Sequence, residues 1–288
     1  MTDQAAPRPL FPAPTLRRQL RGSGKEIFGG FALVALVMTI LGPISTVFLW
    51  AFALKWRYPS LLPTEWGLDY WQSTLTRADI ARALPLSLGL SAVVTAISAL
   101  ICFPAAYAFA RMEFRGKQFF LVSLLITNAF PRFGLYITIA VIFFRLNLVG
   151  TLPGVVLIQI INTLLLMIWI PTAAFQGVDR ALEEAALDVG ASRLRVFVQI
   201  TLPMVLPALS AALLLTFVGT FYEAQGALII GAPNIITLPV LMYALINNQL
   251  VVQYGAILSL ILWMPSLLFL GFAQRLLRRG YLTAGFGV

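Results

Sequence analysis

The stretch Asp179-Arg180-Ala181-Leu182-Glu183-Glu184-Ala185-Ala186-Leu187-Asp188-Val189-Gly190-Ala191-Ser192-Arg193-Leu194-Arg195-Val196-Phe197-Val198-Gln199-Ile200-Thr201-Leu202-Pro203 is a charged interruption between two long apolar runs. Its first part sets Leu182, Ala185, Ala186 and Val189 at i, i+3, i+4 and i+7, one apolar helix face. Glu183, Glu184 and Asp188 fall on the other surface. Gly190 suits the left-handed residue that ends a helix. Ser192 suits the cap of a second one. Pro203 then opens a further helix, where its missing N–H costs little. The stretch therefore predicts two short helices ahead of an apolar run.

The composition around it says what the apolar runs are. Of 288 residues, 60% are hydrophobic and 11% charged, against about 45–50% and 25% in an ordinary soluble domain. Those figures exclude a soluble globular enzyme, and they exclude a disordered chain, which is polar and highly charged. Six runs, at 28–54, 84–110, 119–144, 152–175, 204–224 and 254–274, each exceed the roughly 20 residues needed to cross a bilayer as a helix. A helix satisfies its own backbone groups, which lipid cannot do. Runs such as Ala211-Ala212-Leu213-Leu214-Leu215 lack the alternation of a β-barrel strand. The expected fold is an all-α polytopic membrane protein with six transmembrane helices. Residues 1–27 form a leader, 28–274 the membrane domain with its 176–203 loop, and 275–288 a tail.

Basic residues set the expected orientation. The leader (Arg8, Arg17, Arg18, Arg21, Lys25), the loop after span two (Arg111, Arg115, Lys117), the loop after span four (Arg180, Arg193, Arg195) and the tail (Arg275, Arg278, Arg279) hold 14 of the 20 Lys and Arg. With six spans all four lie on one side, which the positive-inside rule makes cytoplasmic. The other side has Lys55, Arg57, Arg77, Arg82 and Arg145, and residues 225–253 carry no charge. The +9 net charge is thus read as basic loops and not as a nucleic-acid surface. The first run is longer than a 7–15-residue signal-peptide core, so it is expected to be an uncleaved span. The leader is proline-rich (Pro7, Pro9, Pro12, Pro14), and residues 16–27 suit a short basic surface helix. Trp50, Trp56, Trp66, Trp71 and Tyr58 suit an interfacial aromatic belt.

Several chemistries are absent. There is no histidine, and the single Cys102 makes neither an intrachain disulfide nor a CxxC metal site. No metal site is expected. Gly22-Ser23-Gly24-Lys25 is not a Walker A loop, because Gln19 and Glu26 stand where the pattern needs Gly and Ser or Thr. ATP use would fall to another chain.

Glu184-Ala185-Ala186, Gly190 and Ile200-Thr201-Leu202-Pro203 keep the spacing of the cytoplasmic EAA loop of type I ABC importer permeases, and Phe197 stands where that family often has an aromatic residue. The chain resembles that family throughout, with a first span, an outer loop of short amphipathic pieces and five core helices. The resemblance implies the type I importer permease fold, with a cytoplasmic coupling helix. It implies a bacterial inner-membrane subunit pairing with a second permease, most simply as a heterodimer. Two ATPase subunits would carry the ATP and Mg²⁺, and a periplasmic or lipid-anchored binding protein would deliver the solute. No cofactor is expected on this chain, and the resemblance implies a transport subunit, not an enzyme. It assigns coupling to Glu183, Glu184, Ala185, Ala186, Asp188, Gly190, Phe197 and Pro203. A helix on the membrane surface can dock its apolar face into a groove on a soluble subunit and move with it as a lever.

The few polar residues in the spans are candidates for the solute pathway: Asn128 and Arg132 in span three, Gln159 and Asn162 in span four, Tyr222 and Glu223 at the end of span five. Arg132 and Glu223 can be read as lining and pairing in one water-filled cavity, or as snorkelling at the outer interface. For the solute, Leu282-Thr283-Ala284-Gly285 resembles the tail of the maltose-type, sugar and polyol branch. Asp188 two residues before Gly190, with Tyr58-Pro59-Ser60-Leu61-Leu62-Pro63, resembles the polyamine branch and its carriers of phosphonate and other small ions. A sugar or polyol is the first expectation, a charged solute the alternative. A secondary transporter or channel is the rival from another class, but it would not need the loop.

Overall fold

The computed structural model describes the backbone of residues 16–249 and 251–278, and side chains over 28–248, 251–268 and 271. The chain divides into two compact units, Met1–Leu49 and Trp50–Val288. The first contains most of α1 (Leu16–Phe52), one unbroken helix. No separate surface helix over 16–27 forms, because nothing in that stretch breaks the helical ladder before the apolar run begins. Phe28, Phe31, Leu36 and Met38 all expose apolar surface, as a helix apolar on every side does when lipid is its solvent. The proline-rich leader up to residue 15 and the Leu282–Gly285 motif lie outside the described residues.

In the second unit a short antiparallel ribbon follows, β1 (Ala53–Lys55) with β2 (Glu65–Trp66), closed by a Lys55–Glu65 ion pair of 2.7 Å. The helix α2 (Asp69–Leu75) leads to α3 (Ala78–Arg111). After Gly116, which takes a φ of +88°, come α4 (Lys117–Ala129), α5 (Arg132–Arg145) and α6 (Leu152–Gln176). The next elements are α7 (Arg180–Asp188), α8 (Arg193–Val196), a π-helical turn (Phe197–Thr201) and α9 (Leu202–Phe221). Three more helices follow among the described residues: α10 (Gln225–Gly231), α11 (Leu238–Gln249) and α12 (Val252–Arg278).

The helices α3, α6 and α9 form the centre. Small or slender residues at their contacts, Ala106, Ala110, Ser98, Cys102 and Ala212, are buried, which lets helix backbones approach closely where lipid offers no hydrophobic drive. Ser98 and Thr163 share a 2.7 Å hydroxyl–hydroxyl bond between α3 and α6, and Thr172 Oγ1 donates to Ala106 O at 3.4 Å. Since 98 pairs with 163 and 106 with 172, these two helices run parallel.

Two expectations need correcting. Span three is not one helix: α4 and α5 meet at a bend of 107°. Pro131 lacks the N–H a continuous helix would use and pushes Phe130 into extended backbone (φ −75°, ψ 147°). Among the described residues four helices are long and apolar enough to cross a membrane, a fifth if the bent pair counts as one span. The six-helix count is therefore approximate, with α12, 27 residues long, in the place of the sixth run. The uncharged 225–253 stretch is not a simple loop either. It holds α10 and α11, with Gly226, Ala227, Ile230, Leu238 and Leu241 buried. Both are too short to cross a bilayer, so their apolar residues pack against α3, α5, α6 and α12.

Candidate functional site

The 176–203 segment is built by caps. The Asp179 carboxylate accepts from Ala181 N at 2.9 Å and starts α7. Gly190 at φ +87° ends it, with Ala191 N returning to Ala186 O at 3.0 Å; this six-to-one bond closes a Schellman motif. Ser192 Oγ accepts from Arg195 N at 3.3 Å and starts α8. The second short helix is not free-standing, because it passes through the π-turn into α9, where Leu202 N bonds Phe197 O. Pro203 sits in the first turn of α9, as its missing donor requires.

The apolar face of α7 is bare. Leu182 is 48% exposed and Val189 86%. Ala185 and Gly190 are exposed and Ala186 half-buried; Glu184 and Asp188 are exposed beside them. Glu183 departs from the expected outward placement. Its Oε1 accepts from Arg111 Nη2 at 2.9 Å and from Thr201 Oγ1 at 2.6 Å. Phe197 turns inward too, edge-on to Tyr107 at 5.5 Å and stacked near Phe175 at 6.5 Å. This aromatic group sits in a cluster with Ala106, Ala110, Val178, Val205 and Leu209. The segment thus has one face fixed to the three-helix centre and one face open. Sequence reasoning counted Arg111 only as a basic loop residue and passed over Thr201. Glu183 and Arg111 are 72 positions apart, and only the parallel packing of α3 and α6 brings the ends together.

The polar span residues do not form one cluster. Asn128 is exposed on α4, its amide donating to Leu124 O at 3.3 Å, and Arg132 is exposed at the first turn of α5. Asn162 is half-buried on α6. Gln159 is buried there, and neither its Oε1 nor its Nε2 has a partner among the described residues. Tyr222 donates to Leu262 O at 3.1 Å and accepts from Ser266 Oγ at 2.9 Å, tying α9 to α12. Glu223 is buried, and its two carboxylate oxygens accept from Gly226 N (2.7 Å) and Ala227 N (3.0 Å). It caps α10, where the helix dipole favours a negative charge. No Arg132–Glu223 ion pair forms among the described residues.

Known proteins share this plan. The chain is 29% identical over 247 residues to the trehalose transport system permease protein SugB of Mycobacterium tuberculosis, covering 82% of this chain and 90% of that one. It is 31% identical over 209 residues to the maltose/maltodextrin transport system permease protein MalG of Photorhabdus laumondii, covering 66% and 71%. Among solved structures, a chain of a bacterial ABC transporter involved in the import of the acidic polysaccharide alginate superposes with a TM-score of 0.65 at 19% identity. That match covers 92% of this chain and 99% of the other, and it establishes the shared fold. The family described as binding-protein-dependent transport system inner membrane component matches residues 103–281. With more than half its length in that match, the chain belongs to this family, the type I ABC importer permeases, and is a multi-pass membrane component of such a transporter.

Proposed function

We propose that the chain forms half of the solute pathway of an ATP-driven importer and couples to a separate ATPase subunit through α7. The observation that carries this reading is the open face of α7, with Leu182 and Val189 exposed on a segment whose other side is fixed to the helix centre. An apolar helical face of that kind suits a groove on a soluble partner. Glu184 and Asp188 beside it suit a basic rim, and Ala185 allows close approach. ATP and Mg²⁺ then belong to the partner ATPases, and this chain supplies no nucleotide site or cofactor. The partners are a second permease, two ATPase subunits and a solute-binding protein, with both termini of this chain in the cytoplasm.

A sugar or polyol is the proposed solute. The reading is supported by the solutes for which the relatives are named, trehalose and maltose or maltodextrin. Asn128 and Arg132, exposed at the α4–α5 bend, are the best placed of the polar residues to meet a solute, with Asn162 next. Tyr222 is exposed as well, whereas the buried Gln159 and Glu223 shape the wall from behind.

The test is ATP hydrolysis by the reconstituted complex across binding proteins loaded with trehalose, maltose, a polyamine or a phosphonate. Stimulation by a sugar-loaded protein supports the reading. Stimulation only by a charged solute moves the chain to the alternative branch. An ATPase that does not co-purify with the wild-type chain sinks the coupling role.

A further inference from the structure

A nine-residue helix such as α7 is shorter than the roughly 12–15 residues at which isolated helices become even marginally stable. Among the described residues nothing covers Leu182 and Val189 of its apolar face, so its position must be fixed from the other side. One carboxylate oxygen does much of this. Glu183 Oε1 receives Arg111 Nη2 from the last residue of α3 and Thr201 Oγ1 from the π-turn. The same Arg111 Nη2 also donates to Val178 O at 3.1 Å, between α6 and α7. Four segments meet there. Thr201 is buried, and the side chains of Arg111 and Glu183 are only 10% and 17% exposed, so salt and water screen this pair far less than a surface pair. Arg111 is further favoured at the negative end of α3.

The mechanical alternative is weak. Without the bond, α7 is joined to the spans through the short turn at 177–179, and through Val189–Ser192 and α8 followed by the π-turn. A π-turn is already a break in the regular ladder, and Pro203 and Pro207 remove further donors just beyond it. A push on α7 would be absorbed there. We propose that Glu183 is a positioning residue, and that the Arg111–Glu183–Thr201 clamp is the strut that carries displacement of α7 to the end of α3 and the start of α9 together. Glu184, exposed on the neighbouring position, is left free for the docked partner. The strut rests on the coupling reading above, which supplies the push.

The test uses the full complex in nanodiscs, with spin labels at Arg180→Cys on α7 and Glu113→Cys just beyond α3. Both sites are exposed, and Cys102 is buried away from the label. Distances are measured without nucleotide and after trapping with Mg-ATP and vanadate. In the otherwise wild-type complex the distribution stays narrow in both states. With Glu183→Ala the ATPases remain bound, and the trapped distribution becomes on the order of twofold wider, since the lever no longer moves as one body. Glu183→Gln, equal in shape without the charge, broadens it less. The swapped pair Arg111→Glu with Glu183→Arg narrows it again, which a merely space-filling role would not do. If Glu183→Ala stays as narrow as wild type, the strut is wrong and the coupling role stands. If Glu183→Ala loses the ATPases and the swap does not restore them, Glu183 is a docking residue instead. If the wild-type chain retains no ATPase, the coupling reading itself fails and takes the strut with it.

Discussion

The segments 176–203 and 225–253 each join two consecutive apolar helices and each contain two short helical pieces, yet they are held in opposite ways. The first is charged, and its caps are local: Asp179 to Ala181, Gly190 after Val189, Ser192 to Arg195. Its apolar face is left open. The second has no charge and buries Ala227, Ile230, Leu238, Val240, Leu241 and Leu245, while Ile236, Tyr243, Ile246 and Val252 stay exposed. Its ends are secured partly from far away, with Ser87 of α3 accepting from Leu238 N at 2.7 Å and Asn234 Nδ2 donating to Gly150 O at 3.1 Å. A locally capped segment keeps its shape while its face stays available to another molecule. A segment capped by its surroundings is part of the wall.

If that distinction is right, cap removal should cost most where the capped groups are buried. Glu223→Ala is expected to have the largest effect. It strands the N–H groups of Gly226 and Ala227, both on buried residues of α10. Two unsatisfied buried donors cost about 3 kcal/mol together, part of which is offset because the buried charge also disappears. Thermal unfolding of the detergent-solubilised protein should show it, with Glu223→Gln losing less because one acceptor oxygen remains. A Glu223→Ala protein as stable as the wild type would mean that water replaces the cap, and so that α10 is not wall. Ser87→Ala comes next, at about 1–2 kcal/mol for the single buried Leu238 donor. Its effect should appear as faster hydrogen exchange at the start of α11.

The same contrast explains what could be read in advance. The 176–203 helices were legible because the apolar spacing of α7, the glycine after it and the serine before α8 mark them locally; the Asp179 carboxylate before α7 is an equally local mark that the sequence reading passed over. The bend at Pro131 carried an equally plain mark, and the length of the apolar run hid it. Residues 225–253 were illegible as helices because the stretch has no charged face to give it a period, and apolar Tyr243 and Ile246 lie on its exposed side. Only the positions of α3, α5, α6 and α12 decide where it packs. In the site, Glu184, Gly190 and Pro203 stood out by spacing. Arg111 and Thr201 did not, because their importance lies in a carboxylate that reaches them through tertiary structure. Glu223 was legible as an unusual charge, but its capping of α10 needed the helix to be seen first.

On the open segment, Ser192→Ala should matter less. It removes one cap at an exposed helix start, worth about 1 kcal/mol. The cost should stay local, seen as faster exchange at Arg195 and Leu194 with little change in the global unfolding temperature. A global loss as large as that of Ser87→Ala would place this segment in the wall as well.

The smallest stability effect, and the sharpest functional one, is expected at Val189. Its side chain is 86% exposed, so Val189→Asp removes almost no contact within the chain. A surface substitution of this kind falls within about 0.5 kcal/mol. On a bare helical face that docks on a partner, however, a charge must be desolvated without a countercharge, and an apolar contact is lost. The ATPase subunit should then wash off at lower salt or detergent than from the wild-type complex, while the permease unfolds at the same temperature. Retained ATPase at both conditions would show that the open face of α7 is simply solvated, and the difference between the two segments would then lie in capping alone.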